Sequence, residues 1–184
     1  MSAPTDAEIV PSSESEDSER VETLPFTVRP ARSPADLEKA IQCRAEAYGH
    51  HVSDFFASLS EPEDYDFSPG SMVLLAEWKS DRRPVGSMRV VTNVKGHLEL
   101  EDYVELPTSL RGKALAEAGR LSVLRGFKSA LVKLALWKAF FRLCLAEQID
   151  TMVVSAKPPG DRDYIMLVFR EVQPGGLWFR HRSL

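Results

Sequence analysis

Residues 117–123 read EAGRLSV: Glu117 and Arg120 stand three positions apart at the head of an apolar, strand-like run. A buried strand gains nothing from charge, so these two side chains need a purpose other than packing. Working outward, the run leads into FKSALVKLALWKAFFRLCLAEQ, whose apolar spacing predicts a helix of about 20 residues. TMVVSA follows as the next strand. That connection alone has the length of a parallel crossover, which is right-handed by rule.

Upstream, SMVLLAEWK and PVGSMRVVTN are β-rich runs joined by SDRRP and predict an antiparallel hairpin. FTVRPA reads as a short strand. Ser33 and Pro34 open a helix that runs to about Tyr48. VSDFFASL and DRDYIMLVFRE read as short helices, and GGLWFRHRSL as the start of a last strand. The economical packing is α/β (α+β): a mixed, mostly antiparallel sheet with helices on both faces. Its closing hairpin is expected to be cut short, because only eight residues follow Gly176.

A chain of 184 residues that is 43% hydrophobic fits one globular domain. The net charge of -4 is unevenly placed, because residues 1–24 hold seven acids and one base, Arg20. This Ser-rich tail is expected to be disordered, leaving residues 25–184 as the domain. From Arg111 to Arg142 the balance reverses, with eight bases against the single acid Glu117, a stretch that invites an anionic partner. Cys43 and Cys144 read as reduced core thiols of a cytoplasmic protein. Cys and His never cluster, which argues against zinc. Lys133, Lys138 and Arg142 interrupt the most apolar run, which argues against an integral membrane segment. The acidic chain, with no exposed aromatics between its bases, argues against nucleic acid.

The sequence holds no P-loop, GxSxG elbow, HExxH helix or CxxC pair. What remains is a set of charges at element boundaries: Arg44, Glu63, Asp66, Arg89, Glu117 and Arg120. Arg89 interrupts VGSMRVV, and strand alternation places Val85, Ser87 and Arg89 on one face, with Gly86, Met88 and Val90 on the other. A buried guanidinium needs a carboxylate, and Glu63, Asp66 and Glu117 are the candidates.

Four ordered motifs carry a resemblance: RAEAY with Arg44, EDYD from Glu63 to Asp66, GSMR with Gly86 and Arg89, and EAGR with Glu117 and Arg120. Together they resemble the acyl-homoserine lactone synthases. In the EAGRLSV wording they are closer to the long-chain N-acyl amino acid synthases. Both groups share the fold of the GCN5-related N-acetyltransferases. The resemblance implies transfer of a fatty acyl group from a thioester on acyl carrier protein, or on coenzyme A, to the amine of an amino acid or of S-adenosylmethionine. No metal or redox cofactor is implied.

The implied roles follow. Arg44 and Arg89 suit the acceptor's carboxylate, and Glu63, Asp66 or Glu117 its ammonium. Glu117 is the expected base, held by Arg120. The backbone N–H groups around Leu121, Ser122 and Val123 suit the thioester oxygen. In the segment that corresponds to the family's pyrophosphate turn, RGFKSA, Arg125 and Ala130 fit while Lys128 stands at a glycine position, a departure that favours a carrier-protein donor. Tyr164 takes the place of the tyrosine that protonates the departing thiolate, with Val168 at a further glycine position. A lactone synthase, or a non-catalytic binding module of the same shape, stands beside the N-acyl amino acid synthase reading.

Overall fold

The computed structural model describes residues 23–49, 59–126, 128–156 and 161–172. The acidic tail up to residue 22, most of the expected VSDFFASL helix and the expected last strand lie outside the described residues. Five strands, β1 (Phe26–Pro30), β2 (Ser71–Trp78), β3 (Pro84–Thr92), β4 (Leu115–Val123) and β5 (Thr151–Val154), form one sheet in sequential order. Neighbours are antiparallel except β4 and β5, which are parallel and joined by the expected crossover helix. The helices whose full range falls among the described residues are α1 (Pro34–Gly49), α2 (Ser129–Ala146) and α3 (Asp161–Met166). Among the described residues no helix is long and apolar enough to cross a membrane.

The two sheet faces are filled differently. On one, Leu74, Ala76, Met88, Val90, Ala116 and Ala118 pack against Val132, Leu136 and Phe140 of α2. Gly86 is what lets α2 lie close, because a Cβ there would stand 2.8 Å from Val132 Cγ1 and 3.2 Å from Leu136 Cδ1. The other face is shared. Ala40 of α1 covers Val73 and Leu75, while a second apolar cluster gathers Val91, Leu98, Leu110, Leu115 and Val153 under the loop between β3 and β4. Arg89 and Glu117 stand on this shared face.

The expected alternation along β3 holds from Gly86 onward, since Ser87 Oγ donates to the Ala40 carbonyl of α1 at 3.2 Å and Met88 lies in the α2 core. Val85 departs from it. The β2–β3 register shifts at Ala76/Glu77, and Val85 packs with the α2-side core instead of sharing the Arg89 face. Cys43 and Cys144 are buried and unpaired, and burial pushes their thiols up to about 12 and about 11.

Candidate active site

A second register shift builds the site. Between the pairs Ser87–Ser122 and Arg89–Gly119, two β4 residues, Arg120 and Leu121, stand opposite Met88 alone. Arg120 occupies this bulge with φ 51°, a left-handed conformation that costs a non-glycine residue about 1–2 kcal/mol. In a regular strand Arg120 would follow Ala118 into the α2 core. The bulge returns its guanidinium to the face that holds Arg89 and Glu117.

There the charges converge. Arg44 of α1 donates to Glu63 at 2.8 Å and, through both terminal nitrogens, to Asp66 at 3.1 and 2.8 Å. Arg89 Nη1 donates to Glu63 and Asp66, each at 3.0 Å, and Nη2 to Glu99 at 2.5 Å. Arg120 grips Glu63 at 2.7 and 2.6 Å and reaches Glu99 at 3.2 Å. Asp66 is fixed further by accepting the Glu63 N–H at 2.9 Å, which closes a turn at Asp64–Asp66. Tyr65 sets its ring 5.7 Å from the Arg89 guanidinium carbon.

Burial opposes ionisation of Glu63 and Asp66. The hydrogen bonds and charges of the arginines outweigh it, so both carboxylates are held below the usual range.

Three guanidiniums, Arg44, Arg89 and Arg120, are thus matched by three carboxylates, Glu63, Asp66 and Glu99. Glu117 is the fourth acid. Its side chain accepts the Leu100 N–H at 3.0 Å, and it is 3% exposed. Burial pushes its carboxyl up to about 7, with the Glu99 charge adding to the rise and the Leu100 N–H and Arg89 opposing it. The expectation that Arg120 holds Glu117 is corrected: the bulge carries Arg120 to Glu63 and Glu99, and the backbone of Leu100 orients Glu117 instead.

Glu99 was not singled out in the sequence. It sits in the acid-rich stretch ELEDYVE, where Glu101 and Asp102 look equivalent to it. A short 3-10 turn, Glu99–Asp102, separates them. Glu101 folds back to cap the Leu98 N–H at 2.7 Å and Asp102 accepts from Tyr65 at 2.7 Å, while Glu99 is buried over the strand. Its Oε2 lies 3.6 Å from where a Gly119 Cβ would be.

The expected substrate-binding set divides by exposure. Arg44, Arg89 and Asp66 have side chains 1%, 0% and 0% exposed, whereas Glu63 and Arg120 are 20% and 14% exposed and form the part of the network that solvent reaches. Beyond the bulge, β4 loses its β5 neighbour, because parallel pairing ends at Ala118–Val154. Leu121–Val123 therefore carry no pairing to β5; Ser122 is buried, and Leu121 and Val123 pack against the α2-side core. Tyr48 of α1 donates to the Leu121 carbonyl at 3.1 Å. Tyr164 of α3 packs its ring against Trp137 and Phe169 at 5.7 and 6.0 Å, and burial pushes its hydroxyl up to about 12.

At the start of α2 a small cleft of about 270 Å³ is lined by Trp78, Arg83, Arg125, Gly126 and Ser129, with Glu46 on its wall. Lys128 precedes the helix with φ 72°, and Val168 has φ 68°: the two expected glycine positions keep the left-handed backbone that glycine favours.

No family model and no characterised protein sequence matches the chain significantly. Solved structures do. FeeM, an N-acyl amino acid synthase from uncultured soil microbes, superposes with a TM-score of 0.58 at 16% identity, covering 76% of this chain and 75% of its own. The aminoglycoside 6'-N-acetyltransferase AAC(6')-Ih from Acinetobacter baumannii matches at 11% identity over 85% of this chain and 98% of its own, with a TM-score of 0.57. AAC(6')-Iy, solved with a bisubstrate analogue of coenzyme A, matches at 15% identity over 85% and 98%, with a TM-score of 0.59. The chain therefore has the fold of the GCN5-related N-acetyltransferases.

Proposed function

We propose that this protein is an N-acyltransferase that moves a fatty acyl group from an acyl carrier protein thioester to the amine of an amino acid. The observation that carries the reading is Glu117: a buried carboxylate outside the three matched ion pairs, with a proton affinity set near neutrality. An ammonium of pKa about 8 or above must lose a proton before its nitrogen attacks a thioester, and a base poised near 7 suits that task. Arg44, Asp66 and Arg89 serve as positioning residues. They hold Glu63 and Arg120 where an acceptor's ammonium and carboxylate meet the solvent-facing edge of the network.

The freed nitrogen attacks the thioester carbon at the β4 edge that β5 leaves unpaired. The oxyanion is stabilised by backbone N–H groups of the Leu121–Val123 stretch, which no β5 residue pairs. Leu121 lies four residues beyond Glu117, or roughly 13 Å at about 3.3 Å per strand residue. The proton therefore passes to Glu117 through water. Collapse of the intermediate breaks the C–S bond, the nitrogen loses its second ammonium proton to water, and Tyr164 donates a hydrogen bond to the departing thiolate. Arg125 and Lys128 lie on the donor side, where the basic stretch suits the phosphopantetheine phosphate and the acidic carrier. Positioning and electrostatics supply the catalysis, and the chemistry asks for no metal or redox cofactor.

Mass spectrometry of lipid extracts from cells that express the protein tests the reading. N-acyl amino acids that disappear with Glu117→Gln are the expected result. Acyl-homoserine lactones would move the acceptor to S-adenosylmethionine, and no new lipid from a folded protein would leave a binding module.

A further inference from the structure

We propose that the acidic N-terminal segment, residues 1–22, docks in cis on the cationic cleft at the start of α2 and is displaced by the anionic part of the acyl donor. This regulation rests on the donor reading of that cleft. The segment carries Asp6, Glu8, Glu14, Glu16, Asp17, Glu19 and Glu22 against Arg20 alone.

Its root is placed by the sheet. β1 begins at Phe26, paired with Trp78 of β2, and the two rings lie 6.0 Å apart. The Lys79 N–H holds the Pro25 carbonyl at 2.9 Å, so the chain enters the fold beside the β2–β3 turn. Trp78 and Arg83, which flank that turn, are also walls of the cleft and face Arg125, Gly126 and Ser129 across it. The acidic segment is therefore tethered at the cleft's own rim.

Reach is not limiting. Glu14 to Glu19 lie four to nine residues before Thr23, and an extended chain spans about 3.4 Å per residue, so these carboxylates reach roughly 14–30 Å from the root. The cleft offers them two exposed guanidiniums, Arg83 of the β2–β3 turn and Arg125 just ahead of α2, an 18-residue helix that contains no acid. Glu46 is the acid in the lining, and Asp81, 4.0 Å from Arg83, is an exposed competitor that the acidic segment outnumbers. Covalent attachment gives a weak ionic contact an effective concentration on the order of millimolar, enough to compete with a donor and weak enough to yield to one.

The test uses the full chain with Ser15→Cys carrying a nitroxide label; Cys43 and Cys144, buried and poorly ionised, are spared. At low ionic strength the amide signals of Arg125, Gly126 and Ser129 should broaden, and they should recover in about 0.5 M salt or on addition of coenzyme A. Absence of broadening at those amides overturns the proposal. Broadening seen only between labelled and unlabelled molecules overturns its cis form.

As a second measurement, Glu14, Glu16, Asp17 and Glu19 are all changed to Gln in the full chain. Coenzyme A should then bind about fivefold more tightly at low salt, the sum of a few exposed ionic contacts, with the gain lost in high salt. Equal affinity in both proteins overturns the competition. If neither protein binds coenzyme A yet the broadening persists, the docking stands and the donor reading of the cleft fails.

Discussion

Arg120 gives its guanidinium to Glu63, with Nη2 to Oε1 at 2.6 Å, and not to Glu117 three residues earlier on the same strand. The left-handed bulge at Arg120 makes this possible and leaves Glu117 with a backbone donor in place of a cation. A carboxylate held by Arg120 would be acidic and a poor base at neutral pH. The one held by Leu100 is not.

Burial raises Glu117 most and the charge of Glu99 adds to it, so removing that charge should be visible in a pH profile. Glu99→Gln leaves a side chain of the same shape but ends the repulsion and frees Arg89 to act on Glu117. Both effects lower the Glu117 pKa from about 7 toward the ordinary carboxylate range. The acid limb of kcat/KM, and the midpoint of the Glu117 carboxyl carbon titration by NMR, should move to lower pH. A limb that stays in place would remove Glu99 from the account.

Glu117 should cost stability while it serves chemistry. Its folded pKa is raised above the unfolded value, so its favourable contribution is present below the unfolded pKa, about 4.3, and is lost as pH rises through about 7. At pH 8 the ionised, buried group opposes folding by roughly 4 kcal/mol. Glu117→Gln keeps an oxygen for the Leu100 N–H. It should lose activity by 10²-fold or more and raise the denaturant midpoint at pH 8, but not at pH 4. Loss of both activity and stability at pH 8 would mark Glu117 as a purely structural acid.

Arg89 should behave in the opposite way. It is fully buried and bridges Glu63, Asp66 and Glu99, so Arg89→Met leaves three carboxylates to the two guanidiniums of Arg44 and Arg120 and should destabilise the fold by about 3–5 kcal/mol. Urea unfolding measures this. A stable Arg89→Met protein with only a weakened KM for the amino acid would instead make Arg89 a direct substrate contact.

The order of elements was legible because apolar periodicity and turn residues agree along this chain; the predicted crossover helix and both hairpin strands lie within a few residues of α2, β2 and β3. Arg89 was legible because a charge inside VGSMRVV has to be answered. Glu99 was not, since nothing local tells which acid of ELEDYVE turns inward. The Arg120 partner was hidden for another reason: a bulge changes the face of every later residue without a signature in residue type. Val85 was misplaced on the same account.

Two positions where the sequence departs from glycine keep a glycine-like backbone. Val168 is β-branched, 78% exposed and at φ 68°, so its side chain contributes strain and little packing. Relief of about 1–2 kcal/mol of left-handed strain, less the roughly 0.5–1 kcal/mol entropy cost of glycine, predicts that Val168→Gly stabilises by up to about 1 kcal/mol. Lys128→Gly at φ 72° should follow the same sign and also allow closer backbone approach to a phosphate. Thermal melts of the two variants decide the matter, and a lowered Tm in both would show the side chains to be worth more than the strain.

Tyr164 is where magnitudes correct the role that the resemblance implies. A thiol leaves with a pKa of about 8.5, whereas burial pushes the Tyr164 hydroxyl up to about 12. Full proton transfer to the thiolate is uphill by roughly 3.5 units, or about 5 kcal/mol, and gains nothing over departure as the anion. A neutral hydroxyl that donates a hydrogen bond still lowers the barrier, by the 1.5–3 kcal/mol or so typical of a bond to a charged acceptor. Tyr164→Phe should therefore reduce kcat by about ten- to a hundredfold and leave KM for the acceptor unchanged. The deficit should shrink for thioesters of more acidic thiols, whose anions need less help. A deficit that does not vary with thiol acidity would place Tyr164 in packing against Trp137 and Phe169 and away from the sulfur.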